Sequence, residues 1–201
     1  LQARELTQLQ TILQKQIERF GNNVFKEGTV VKPGGVNVNP RYEFIKLDET
    51  DPAHNLPDVA TLVGKTVTGQ SGIEATIIEA VEASGSDPAT LYVKYTSTSS
   101  AQGNTDVVTQ RMASNEVMNV SGGGELKVKQ ATPLDPNVVG TGTQVTLRSG
   151  VYYARGSFVF TEDQSKIISK YTDFPSTDIG FKTVEEAVSY THLTLPTTTI
   201  V

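Results

Sequence analysis

The first twenty residues follow a helical pattern of apolar positions. From Ala3 to Phe20 the chain contains no Gly or Pro and consists mainly of residues with high helix propensity. Apolar side chains recur every three or four residues, which places them in one narrow stripe along a helix. Gly21 follows and can adopt the left-handed conformation that ends many helices. The pattern predicts a helix that ends at Phe20, with the stripe residues Leu6, Leu9, Leu13, Ile17 and Phe20.

This stripe has two interpretations. Its flanks are rich in Gln rather than in charged residues, which suits a seam where copies of the helix pack in parallel. Alternatively, the stripe packs on a β layer of its own chain, and Ile12 lies to one side of it. Because the segment is shorter than three heptads, its periodicity does not separate these two hypotheses.

Downstream of the helix, short runs of β-branched and aromatic residues alternate with turn signals. Lys26-Glu27-Gly28 predicts a hairpin between Val24-Phe25 and Thr29–Val31, with Gly at a positive-φ position. Arg155-Gly156 similarly separates Val151–Ala154 from Ser157–Phe160. Short strands with Gly-rich turns are typical of a small barrel or sandwich. We therefore expect a mainly β fold of short antiparallel strands with one N-terminal α-helix.

Changes in composition suggest the domain organisation. The polar segment 48–57 contains two prolines and is the best candidate for a linker. Tyr190–Val201 resembles the peptide obtained when sequencing-adapter DNA is translated, the alternative being a genuine Thr-rich terminal strand. The expected parts are an N-terminal helix with hairpins (1–47), a small β module (58–134), a β-hairpin region that we expect to continue in the natural protein (135–189) and an artefactual tail (190–201).

Composition supports the β assignment and excludes several functions. Of the 201 residues, 59 are Thr, Val or Ile, which favour strands. The absence of Cys excludes thiol catalysis, thiolate metal sites and disulfides. The net charge of −5 argues against binding to nucleic acid, and no stretch is apolar enough for insertion into a membrane.

Candidate chemistry is sparse. His54 is the only histidine before the suspected tail, and it lies among Asp48, Glu49 and Asp51. Carboxylates so close together can bind a hard cation, but their spacing does not match a calcium-binding loop, so a solvated turn is the simpler interpretation. No G-x-S-x-G motif supplies a serine nucleophile.

The remaining motifs have structural interpretations that we prefer. Gly122–Gly124 and Gly140-Thr141-Gly142 do not match a phosphate-binding loop and predict turns. Adjacent carboxylates at Glu162/Asp163 and Glu185/Glu186 do not form a pair across a groove, as a glycosidase needs. We therefore predict no catalytic, cofactor-binding or metal-binding residue, and no enzyme activity.

Four aromatic residues cluster around the predicted Arg155-Gly156 turn. Such a group can form the core of a hairpin or a platform that binds sugars, and we favour the core. The four residues are Tyr152, Tyr153, Phe158 and Phe160.

Two stretches carry a family resemblance. The opening Leu1–Gln10, with Phe20-Gly21 and Phe25–Gly28, resembles the start of a family of virion structural proteins of T4-like and marine tailed phages. Gly150–Val159, followed by Lys166–Ile168 and Ile179–Phe181, resembles a later hairpin of the same family. Proteins of this family are described as baseplate, tail-fibre or structural proteins.

The resemblance implies a structural component of a phage tail that is located in the virion, contacts other tail proteins and needs no cofactor. Together with the helical stripe, it leads us to expect a homo-oligomer, a trimer, whose interface contains Leu6, Leu9, Leu13, Ile17 and Phe20. It also implies further sequence beyond both ends of the chain. The alternatives are a module that binds a host receptor or surface glycan, and a hydrolase that acts on surface polysaccharide.

Overall fold

A computed structural model describes residues 2–51, 58–98, 110–184 and 198–200. The fold is mainly β, with antiparallel strands and one N-terminal α-helix. This confirms the predicted class, short antiparallel strands of the small barrel or sandwich type. Residues 190–197 and 201 of the predicted artefactual tail and residues 52–57 of the predicted linker fall outside the described residues. Thr198–Ile200 of the tail form a strand that pairs with Phe181–Thr183.

The helix α1 spans Gln2–Val24, and a 3₁₀ turn spans Val59–Leu62. The strands in the first half of the chain are β1 (Val30–Lys32), β2 (Val36–Lys46), β3 (Thr66–Gly69), β4 (Ile73–Val81) and β5 (Thr90–Thr98). Those in the second half are β6 (Val117–Val120), β7 (Glu125–Lys127), β8 (Val139–Leu147), β9 (Gly150–Ala154), β10 (Ser157–Thr161), β11 (Gln164–Ser169), β12 (Phe181–Thr183) and β13 (Thr198–Ile200).

The chain forms two compact units, each assembled from segments that are distant in sequence. The first contains Leu1–Val38, Val145–Lys166 and Ser176–Val201. The second contains Asn39–Gln144 and Ile167–Pro175.

The first unit combines α1 with a three-stranded antiparallel sheet of order β1-β9-β10. The predicted hairpin at Arg155-Gly156 is present, and it pairs Phe158 with Tyr153 and Phe160 with Val151. Arg155 has a φ of 48°, and Gly156 has a φ of 77°. The β12 and β13 strands pair separately, as a two-stranded antiparallel ribbon.

The helix does not end at Phe20 as predicted. It continues through Gly21 to Val24, and the Phe25 N–H donates to the Gly21 carbonyl at 2.7 Å. An ideal Cβ on Gly21 would lie 2.3 Å from the Tyr153 ring. Gly21 therefore allows the helix to approach an aromatic ring closely, instead of terminating the helix.

The predicted hairpin between Val24-Phe25 and Thr29–Val31 is wrong. Val24 belongs to α1, and β1 pairs with β9 instead. The connection is fixed by Tyr153, whose N–H donates to the Thr29 carbonyl and whose carbonyl accepts from the Gly28 N–H. The turn at Gly28, with a φ of 80°, thus joins a helix to a strand.

The second unit contains the larger hydrophobic core. The eight-stranded sheet has the order β11-β8-β2-β5-β4-β3-β6-β7, and β3 to β7 lie wholly within this unit. The larger apolar cluster of this unit is buried and includes Leu91 of β5, Met118 of β6, Ile45 of β2 and Met112 of the segment before β6. A smaller cluster stacks Tyr42 on Tyr92, with ring centroids 4.8 Å apart.

The two glycine motifs have different structures. Gly122–Gly124 form the predicted turn between β6 and β7, all with φ near +100°. The segment Gly140-Thr141-Gly142 lies inside β8, so the predicted turn there is wrong. A Cβ on Gly142 would lie 2.5 Å from the Lys170 carbonyl oxygen. This glycine is required for close approach of two backbones.

Candidate assembly surface

The predicted interface residues lie together on an exposed helix. The stripe side chains are between 49% and 63% exposed, and the described side chains from Arg4 to Phe20 are all exposed. Val24 extends the stripe by one position, and Ile12 is exposed beside it. We call these residues the α1 stripe: Leu6, Leu9, Leu13, Ile17, Phe20 and Val24.

The end of α1 is anchored to the β9–β10 hairpin of the same unit. The Tyr153 hydroxyl donates to Asn22 Oδ1 at 2.9 Å and lies 3.3 Å from the Glu18 carbonyl oxygen. A Cβ on Gly156 would meet Glu18 Cγ at 2.6 Å. Close packing therefore holds the last two turns of the helix against the hairpin.

The anchoring face differs from the α1 stripe. Glu18, Gly21 and Asn22 project toward the hairpin, whereas the centre of the stripe lies about 130° around the helix axis at 100° per residue. The chain therefore holds the helix by one face and leaves its apolar stripe exposed. Apolar side chains that are exposed side by side, unlike apolar side chains scattered singly over a surface, indicate an interaction site.

The four aromatic residues of the hairpin divide between core and surface. Tyr153 is buried, and its ring lies 5.5 Å from Phe25 and 5.4 Å from Phe158. Phe158 and Phe160 are on the same face of the hairpin and remain partly exposed. Tyr152 points to the opposite face and contacts Phe181, with centroids 4.9 Å apart.

A pocket of about 320 Å³ lies on this opposite face, within the first unit. Its walls combine two aromatic rings, small apolar side chains, two threonine hydroxyls and one carboxylate. This size is at the lower end of the range for small-molecule sites. The lining residues are Glu27, Gly28, Tyr152, Ala154, Val159, Thr161, Phe181 and Thr183.

The acidic segment considered for a cation has separate contacts for each carboxylate. Asp48 Oδ1 accepts from the Thr50 hydroxyl and N–H, and these hydrogen bonds lower the pKa of Asp48. Glu49 accepts from the Ala89 N–H, and Asp51 forms an ion pair of 2.8 Å with Lys127. His54 lies outside the described residues. Within those residues, no group of three His, Cys, Asp or Glu side chains is arranged to hold a metal ion.

Other acidic groups also have structural contacts. Asp163 Oδ1 accepts from the Ser149 N–H at 2.5 Å, which ties the β10–β11 connection to the turn before β9. Glu116 is buried and accepts from the Ser71 hydroxyl, the Ser71 N–H and the Ala113 N–H. Glu185 and Glu186 lie outside the described residues.

Two charged networks stabilise the second unit. Glu43 is buried and receives two hydrogen bonds from Arg111, which raise the pKa of Arg111. Asp135 accepts from Lys46 at 2.6 Å and from Lys129 at 3.0 Å. Burial raises the pKa of Asp135, but these two hydrogen bonds outweigh burial and leave its pKa below the ordinary value.

Sequence reasoning missed the residues that anchor the helix. The local pattern predicts a hairpin position for Tyr153 and a helix end at Gly21, and neither prediction brings the two residues together. The sequence contains one signal for this contact, which is a glycine at a position that continues the helical pattern. Glycine lowers the stability of a helix, so its presence there indicates close packing.

No helix in the described part of the chain is long and apolar enough to cross a membrane. The sequence matches no protein-family model, and comparisons with curated proteins and with solved structures likewise give no match.

Proposed function

We propose that this protein is a structural component of a bacteriophage tail, of the baseplate or tail-fibre type, that assembles as a homotrimer through α1. It is located in the virion, contacts other tail proteins and has no enzymatic activity. The resemblance of Leu1–Gln10 and Gly150–Val159 to phage structural proteins supports the assignment to a tail. The observation that carries the proposal of self-assembly is the exposed α1 stripe on a helix anchored by another face.

The energetics of α1 favour a partner for the stripe. An isolated helix of this length is marginally stable in water and gains most of its stability from packing of its apolar face. The contacts between α1 and the hairpin described above involve the last two turns of the helix. Burial of six half-exposed apolar side chains between copies would supply the missing stabilisation.

Paired charge substitutions test the self-assembly. Leu9→Asp with Leu13→Asp should convert the oligomer to a monomer, because two carboxylates would be buried in an apolar seam. The β signal in circular dichroism should remain, since both side chains are exposed and belong to the helix. Gln8→Asp with Lys15→Asp is the matched control on the polar face and should leave the mass in light scattering unchanged. Equal dissociation by both pairs would reject the stripe as the interface.

The genomic context tests the assignment to a phage tail. Tail genes are clustered, so reading frames on the same DNA contig should encode other tail components and capsid proteins. A contig that contains only cellular metabolic genes around this reading frame would contradict the assignment, whatever the oligomeric state.

The pocket on the first unit supports a second candidate function, binding of a host surface glycan. Sugar sites combine an aromatic ring with hydroxyl and carboxylate partners, and Tyr152, Phe181, Thr161 and Glu27 supply these groups. Tyr152→Ala should abolish binding of any saccharide that the protein captures on a glycan array. Phe160→Ala removes an exposed aromatic that does not line the pocket and should have no effect. An array without a captured saccharide would reject this candidate.

A further inference from the structure

We propose that the α1 helices of neighbouring copies pack in parallel and in register, through an eleven-residue apolar repeat. This proposal rests on the self-assembly proposed above and specifies its geometry. It commits to other copies of this chain as the occupants of the α1 stripe.

The spacing of the stripe defines the repeat. Each residue in its first half has an apolar counterpart eleven positions later. The pairs are Leu6 with Ile17, Leu9 with Phe20, and Leu13 with Val24. If the seam instead continued from Leu13 as a heptad repeat, the polar residues Gln16 and Asn23 would lie in it. An eleven-residue repeat has about 3.67 residues per turn and forms a straight or slightly right-handed bundle.

The distribution of charge favours an identical partner. Arg4, Lys15 and Arg19 lie on the polar side of α1, away from the stripe, and no charged pair on its flanks would select a different helix. One flank carries Gln10. The opposite flank carries Glu5, whose carboxylate can accept hydrogen bonds but cannot donate them.

The two flanks complement each other in a parallel arrangement. When two helices pack in parallel, a residue on the flank of Glu5 lies beside the residue five positions later on the opposite flank of the neighbouring helix. Glu5 then accepts from the amide of the neighbour's Gln10. In an antiparallel arrangement each flank faces the same flank of the neighbour, so Glu5 and Gln10 would not meet. The parallel arrangement thus pairs an acceptor on one flank with a donor on the other.

Cross-linking tests the orientation, and the absence of cysteine makes every introduced thiol specific. The full chain with Glu5→Cys and Gln10→Cys should be converted by a short bis-maleimide to a covalent trimer, because each copy is linked to the next around the ring. The chain with Glu5→Cys and Asn23→Cys should stay uncross-linked, since these positions are then about 27 Å apart along the helix axis. Cross-linking of the second variant but not of the first would show antiparallel packing and overturn the proposal.

Alanine substitutions at adjacent positions test the repeat. Ile17→Ala should weaken the association at least about tenfold, because it removes a packed side chain from the seam. Gln16→Ala is the matched control and should change the association less than about threefold. The reverse order of effects would indicate heptad packing.

Sedimentation of the unmodified protein separates the two proposals. A monomer at all concentrations would reject the proposed self-assembly itself. An oligomer that fails the cross-linking or alanine test would reject only the parallel eleven-residue arrangement.

Discussion

At the scale of single residues, Gly21 links the helix to the hairpin. Gly21→Ala would stabilise an exposed helix by about 1 kcal/mol, because Ala has the higher helix propensity. Here the new Cβ would meet the Tyr153 ring, so we expect a net loss of about 1–2 kcal/mol in the free energy of unfolding. Chemical denaturation of both proteins measures the difference.

Two controls isolate this contact. Gly180→Ala adds a Cβ that meets nothing within 4 Å and should change stability by less than about 0.5 kcal/mol. In a chain that already carries Tyr153→Ala, Gly21→Ala should be neutral or stabilising, because the obstructing ring is gone. Destabilisation of the same size in both backgrounds would contradict the contact.

Asp135 is the residue whose titration should affect stability. Its folded-state pKa lies below the ordinary value of 3.8, so its contribution is complete above pH 5 and is lost as the pH falls through the folded-state value. Asp135→Asn should lower the free energy of unfolding by about 1–2 kcal/mol at pH 7, since Lys46 is nearly buried. The difference from the unmodified protein should shrink below pH 4.

The matched control for this network is Asp87→Asn. Asp87 pairs with Lys170 at 2.7 Å, but both side chains are substantially exposed, so the loss should stay below about 0.5 kcal/mol. A loss for Asp135→Asn that persists unchanged at pH 2 would show that a steric change, and not the charge of Asp135, is responsible.

At the scale of elements, local patterns predicted those structures that depend on local interactions. The periodicity from Leu6 to Phe20 predicted α1, and Arg155-Gly156 predicted the β9–β10 hairpin, because a turn brings neighbouring strands together directly. The same reasoning failed for Val24–Val31. The partner of β1 is β9, more than a hundred residues away, and no local signal encodes that pairing.

The two glycine motifs show the same limit. Gly122–Gly124 adopt positive φ values, which a run of glycines predicts. Gly142 lies within β8, where the Lys170 backbone passes too close to leave room for a Cβ, and the sequence contains no local signal for this contact. In both α1 and β8, a glycine interpreted as a local signal is required by a distant part of the chain.

At the scale of the whole molecule, each of the two units combines segments that are distant in the sequence. The predicted domain ranges follow sequence order, whereas α1 shares a unit with residues 145–166. A composition pattern detects linkers between consecutive domains, but it cannot reveal which distant segments join. Periodicity alone predicts the stripe residues of the proposed interface. The anchoring face depends on contacts with the distant Tyr153, which only the structure shows.

The proposed function depends on the assembly of identical copies through the α1 stripe. Sedimentation equilibrium of the unmodified chain over a wide concentration range tests it most directly. We expect a mass three times the 21.7 kDa of one chain, which falls to the monomer mass when Leu9 and Leu13 are replaced by Asp. A mass of one chain at every concentration, before any substitution, would contradict it.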